Sequence, residues 1–161
     1  MKGGTYSALA ARIQQLVLDI EIVVQRVELL HNKAKQTNDM GYLDGVALNL
    51  HSFYTGVEAG LEDIGRSIDA ALPQGPNWHQ ELLQQMTAQL NDLRPAVLGR
   101  NTRTCLDEYR AFRHLVRNVY TFNLKPTRMQ ELAEEVQHCF GLVRYDFEEF
   151  IHFLQEVENN L

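Results

Sequence analysis

Apolar residues recur every three or four positions along almost the whole chain, the spacing of one face of an α-helix rather than the strict alternation of a strand. The pattern predicts an all-α protein. The first helix begins near Thr5 or Ser7 and runs to about Lys35, with Leu9, Ile13, Leu16, Ile20, Val23, Val27 and Leu30 on its buried face. Thr37, Asn38 and Asp39 break it, and Gly41 follows. A second helix of similar length runs from about Gly41 to Ala71 and buries Val46, Leu50, Tyr54, Val57, Leu61, Ile64 and Ile68. At 1.5 Å per residue each is roughly 45 Å long. Two such helices joined by a short loop form an antiparallel hairpin.

Pro73 and Pro76 close that unit, and Asn77 then reads as the cap of a shorter helix, with Gln80 in the capping-box position. Leu82, Leu83, Met86, Leu90 and Leu93 give this third helix its apolar side, and Pro95 stops it. Asn101 or Thr102 caps a fourth helix whose core stripe is Cys105, Tyr109, Phe112, Val116 and Val119. Residues 121–126 read as a loop, because the residue before a proline is pushed out of the helical region. Thr127 with Gln130 makes a second capping box, and the last helix carries Leu132, Val136, Phe140, Val143, Phe147, Phe150, Leu154 and Val157. The expectation is an antiparallel four-helix bundle with one additional shorter helix, forming a single domain over residues 1–161.

Composition alters this picture in few places. A chain of 161 residues can bury most of the surface its unfolded form exposes. Cys105 and Cys139 lie in apolar helical patterns without zinc-ligand spacing, so they read as two reduced core thiols. No apolar run approaches a membrane span, and MKGGTYSALA lacks the layout of a signal peptide. A soluble, cytoplasmic protein with no membrane partner is expected.

Charge changes the picture more. The net charge is -6, yet residues 94–128 hold eight basic side chains (Arg94, Arg100, Arg103, Arg110, Arg113, Arg117, Lys125, Arg128) against Asp107 and Glu108, a local net of +6. An acidic body with one basic segment suits local binding of a polyanion. The alternative is that these residues pair with the acidic last helix or with a partner chain. On a regular helix Arg103, Arg110, Arg113 and Arg117 form one band beside the core stripe, and planar guanidiniums suit bidentate contact with phosphate. Arg113 and Tyr120 fall on nearly the same face. Asn118 lies some 140° from Arg113, so the two converge only if the helix unwinds before 118 or a second chain contributes its copy.

Other chemistry finds little support. Glu135 with His138 and Glu149 with His152 have the Glu-x-x-His spacing of di-iron bundles, but both copies lie on one helix, roughly 21 Å apart, so a solvated face is the better reading. His31, His51 and His79 stand alone and read as surface or capping residues. The sequence holds no Gly-rich phosphate loop, GxSxG or HExxH. No metal or cofactor is called for.

The stretch YRAFRHLVRNVYTFNL, residues 109–124, resembles the signature region of the HepT-like members of the HEPN superfamily. Their motif is Arg, four residues, His, one residue, Tyr, often with a polar residue after the Arg. Arg113, His114 and Tyr120 match it, and Asn118 stands at the His position. The resemblance implies a helical-bundle toxin that cleaves RNA without a metal, with transfer RNA as one candidate substrate, in a homodimer whose two motifs meet. It also implies a nucleotidyltransferase antitoxin that neutralises the toxin by AMPylation of the motif tyrosine, here Tyr120. Arg113, Asn118 and His114 are then the catalytic candidates, and Arg110 and Arg117 extend the phosphate-binding surface.

Asn118 is a departure with consequences, since an amide cannot take up and release a proton near neutral pH as imidazole does. Either His114 substitutes, or activity rests on positioning alone, or the chain is a catalytically inactive adaptor subunit of a minimal nucleotidyltransferase. His114 lies about 100° from Arg113, so its help calls for a local break in the helix or a partner subunit.

Overall fold

A computed structural model of the chain describes residues 3–118 and 125–161, with Arg117 and Asn118 described for their backbone only. Most of the described residues are helical, and no strand forms among them. α1 spans Thr5–Thr37 and α2 spans Gly41–Ile64, continuing into a π-helical turn at Gly65–Asp69. α3 is Trp78–Thr87, α4 is Arg100–Asn118 and α5 is Pro126–Asn159. α1 packs along α2 and α5, and α2 also meets α4 and α5, while α3 leans on α2 and α4. The expected bundle of four longer helices with one shorter one is what folds.

The α1–α2 hairpin forms where the sequence breaks. Asn38 adopts the left-handed conformation at φ 56°, which asparagine tolerates better than most residues, and its N–H bonds back to Ala34 O at 3.1 Å. Asp39 Oδ1 then accepts the N–H of Gly41 at 2.9 Å and starts α2. Along the hairpin, Gly45, Gly56 and Gly60 of α2 face Leu30, Ile20 and Leu16 of α1. A Cβ at Gly60 would come within 2.6 Å of a Leu16 methyl, so the absence of a side chain sets how closely the helices approach.

α1 is covered from two sides, and its buried set is therefore wider than one stripe. Val17, Val24 and Ala10 are buried alongside Leu9, Ile13, Ile20 and Val27, whereas Leu16, Val23 and Leu30 pack at the margin of the core. The α2 stripe is buried at each position from Val46 to Ile68. Tyr109 of α4 meets Phe53 of α2 edge-on at 5.1 Å, and its hydroxyl donates to Leu132 O of α5 at 2.8 Å, which ties three helices at one point. Burial raises the Tyr109 pKa, so the hydroxyl stays a donor.

Several local expectations are corrected. α3 ends at Thr87 instead of near Leu93, because Arg94 and the chain at Val97 and Leu98 take its last carbonyls. Leu93 is exposed, while Val97 and Leu98 fill the core. Leu106 is fully buried in α4, with Cys105 only partly so. Val119 and residues 121–124 lie outside the described residues. Neither capping box forms: Asn77 makes no side-chain cap, and α5 starts at Pro126 with Lys125 before it. Proline suits that first helical position, where its missing N–H has no intrahelical partner to lose. α4 begins at Arg100, and Thr102, instead of capping, donates to Asp146 of α5 at 2.6 Å, which also accepts from Gly99 N at 3.0 Å.

The two cysteines are not free thiols. Cys105 and Cys139 form a disulfide between α4 and α5, with their Cα atoms 5.8 Å apart. Helical periodicity places each on an inward face, but only the packing of α4 on α5 brings those faces opposite each other. His31, expected at the surface, is 6% exposed, and burial first, then Lys35, lowers its pKa.

Candidate functional site

The basic segment divides into two populations. Arg94 is fully buried, and its guanidinium satisfies each of its N–H groups inside the fold. Nε and Nη2 donate to Asp69 Oδ1 and Oδ2 at 2.6 and 2.8 Å, Nη2 also to Gln85 O at 3.1 Å, and Nη1 to Ala88 O and Pro95 O at 2.9 and 3.0 Å. It closes the C-terminal end of α3, where carbonyls favour a cation. Arg94 therefore drops out of the polyanion-binding set.

Arg110 and Arg113 behave differently. They rise from the middle of α4 into an open cleft of about 550 Å³, whose lining also includes Pro76, Asn77, His79, Gln80 and His114. Arg110 Nε donates to Asp107 Oδ1 on its own helix at 2.7 Å, and Arg113 Nε to Thr55 Oγ1 on α2 at 3.1 Å. Neither bonds to α5 among the described residues, so pairing with the acidic last helix does not account for them. Each of these bonds engages Nε, and a guanidinium fork has the geometry that a phosphate group accepts. Arg103 lies in an adjoining groove with Glu81 and Asp107, separated from the first by Asn77 and Gln80.

The opposite wall of the cleft is the start of α3. A helix N-terminus leaves backbone N–H groups unpaired and favours negative charge, so it adds to the field of the two arginines. His79, in the first turn of α3, projects from this wall with Nδ1 2.6 Å from Glu58 Oε2. Glu58 is 3% exposed, a carboxylate carried on the core face of α2. The His79 ring stacks on Trp78 with centroids 3.7 Å apart. The Tyr54 hydroxyl, one helical turn before Glu58, is buried beside that carboxylate without meeting hydrogen-bond geometry. Burial first, then the Glu58 charge, pushes its pKa far up, so it stays protonated.

The sequence-predicted residues are thus partly united. Arg110, Arg113 and His114 line one cleft, and His114 reaches it without a break in α4. The angular objection fails because the cleft is wide enough to be lined by neighbouring residues about 100° apart. α4 stays helical through Asn118, which closes the route in which unwinding brings Asn118 to Arg113 within one chain. The side chains of Arg117 and Asn118, and Tyr120 altogether, lie outside the described residues. Glu135, His138, Glu149 and His152 are exposed along α5, as a solvated face requires.

His79 and Glu58 are the residues that the sequence reading missed. His79, read as a surface or capping residue, is partly exposed in the cleft, but its ring is held by a buried carboxylate and an aromatic face. A signal existed: Glu58 follows Tyr54 by four positions and precedes Leu61 by three, which puts a charge on the core face of α2. A buried charge demands a partner.

The structure is thus an all-helical bundle with a cleft lined by two arginines and two imidazoles. A family model described as HepT-like protein matches residues 45–154, about two thirds of the chain. The chain belongs to the HepT-like proteins of the HEPN superfamily, a family of toxin type. No match to a curated protein or to a solved structure accompanies this one. The matched span takes in Glu58, His79 and the cleft arginines and leaves out the whole of α1.

Proposed function

We propose that this chain is the toxin of a toxin–antitoxin pair, a metal-independent ribonuclease that binds RNA phosphate in the cleft between α3 and α4. The observation that carries the reading is the pair Arg110 and Arg113, two guanidiniums open to one cleft in an otherwise acidic protein. Arg113 holds the phosphate whose neighbouring 2′-hydroxyl attacks, Arg110 and Arg117 extend the basic surface, and His114 and Asn118 are polar helpers. On a regular helix Asn118 lies some 140° from Arg113, so its contribution comes from a second copy in a homodimer. Restraint comes from a minimal nucleotidyltransferase that attaches AMP to Tyr120, placing a phosphorylated group beside arginines meant for RNA. The site lies in one domain formed by residues 1–161, acting in the cytoplasm.

Purified protein incubated with RNA in the presence of a chelator tests this reading. Cleavage that Arg113→Ala abolishes supports it, and intact RNA at every protein concentration overturns it.

Asn118 favours a second reading, a catalytically inactive adaptor that docks on the nucleotidyltransferase. In a reaction with that partner and ATP, a gain of one AMP at Tyr120 supports the regulated pair. Stable binding of the partner with no modification supports the adaptor.

A further inference from the structure

We propose that His79, held by Glu58, is the proton-transfer group of the cleft and does the work that Asn118 cannot do. The proposal rests on the ribonuclease reading above and assigns the group that this reading leaves without an owner.

The geometry supplies three conditions for such a group. The first is a defined tautomer: an ionised carboxylate only accepts hydrogen bonds, so the 2.6 Å contact of Glu58 Oε2 with Nδ1 puts the proton on Nδ1 and leaves Nε2 as the basic nitrogen. The second is a fixed ring, supplied by the same bond and by the stacked indole of Trp78. The third is access, since His79 lines the same cleft as Arg110 and Arg113. Glu58 is buried on the core side of the imidazole, with the Tyr54 hydroxyl next to it. A carboxylate behind an imidazole that lines a cleft is the arrangement by which other enzymes orient a general base.

The step balances without a metal or a co-reactant other than water. With a phosphodiester held by Arg113, His79 Nε2 takes the proton of the 2′-hydroxyl as that oxygen bonds to phosphorus. The bond from phosphorus to the 5′-oxygen breaks, leaving a 2′,3′-cyclic phosphate. The departing 5′-oxygen takes a proton from water, and the imidazolium returns its proton to the hydroxide so formed. His79 is then a catalytic residue, and Glu58 a positioning residue that acts through it.

The test compares full-length wild type, His79→Asn, Glu58→Gln and Arg113→Ala on a mixed-sequence single-stranded RNA with chelator present. Asparagine at 79 still places a donor near Glu58 while deleting Nε2. His79→Asn is expected to lower the cleavage rate by about 10²–10⁴-fold, the usual worth of a general base, while leaving RNA binding within about threefold. Glu58→Gln is expected to slow cleavage and to move the ¹⁵N signals of the His79 ring away from the Nδ1–H tautomer, a readout that a purely structural role would not move. Should His79→Asn fail to fold, Glu58→Gln with its ¹⁵N signature decides the matter. Cleavage by wild type that persists within threefold in either variant overturns the role of His79 and leaves the ribonuclease reading standing. No cleavage by wild type overturns that reading, and the role of His79 with it.

Discussion

Arg94 and Arg113 belong to the same basic segment, yet the fold uses them in opposite ways. Arg94 is withdrawn from water, and its five N–H groups meet the Asp69 carboxylate and three backbone carbonyls. Arg113 donates from Nε to Thr55 and lines a cleft. The first guanidinium secures the end of α3, and the second faces the start of that helix across the cleft. A count of charges along the chain treats the two as equal, and their surroundings do not.

The largest expected effect separates them on stability. Arg94→Ala strands the buried Asp69 carboxylate and should cost about 3–5 kcal/mol, read as a lower urea midpoint with unchanged slope. Arg113→Ala should shift stability by no more than about 0.5 kcal/mol. Equal losses in the two variants would break the comparison.

The next effect tests how firmly the cleft helix is anchored. The disulfide from Cys105 to Cys139 fastens α4 to α5 across a separation of 34 residues, and Cys139→Ser or reduction should lower stability by about 2–4 kcal/mol. Identical melting curves with and without reductant would show that helix packing alone holds α4 in place.

On binding, the order of the arginines reverses. Arg110→Ala and Arg113→Ala should each weaken RNA binding by about 1.5–3 kcal/mol, the range of a charge-assisted hydrogen bond. Each should also flatten the dependence of log affinity on log salt by about 0.7, as expected for one lost phosphate contact on a single strand. Fluorescence anisotropy at several salt concentrations reads both, and a slope unchanged in both variants would place the RNA elsewhere.

The smallest effect concerns His31, a buried imidazole without the carboxylate contact that holds His79. Its folded-state pKa is lowered by burial, so below the ordinary histidine value of about 6.5 the unfolded chain takes up the proton first. Its contribution to stability is full above that pH and is lost as pH falls toward the folded-state value. His31→Leu should flatten the decline of melting temperature over this window, and parallel pH curves for variant and wild type would remove His31 as the cause.

Much of the architecture was legible because helical periodicity is a local property. The α2 stripe from Val46 to Ile68 is buried as spaced, and the break at Asn38 falls where its polar residues put it. The early stop of α3 at Thr87 was not legible, since it depends on Arg94 reaching back to carbonyls six and nine residues away. Within the site, Arg110, Arg113 and His114 were marked by their helix, whereas His79 carried no mark of its own.

By itself the sequence determined the helices, their order, the acidic body with its basic segment, and the matching motif in which Asn118 stands in place of histidine. These follow from residue type and from spacing within a few turns. Only the tertiary structure decided which arginine is buried and which is open, that Cys105 meets Cys139, and that Glu58 reaches His79 across 21 positions. The physical reason is common to all three: a charge, a thiol or an imidazole acquires its role from the groups packed within a few ångströms of it, and those groups come from other helices.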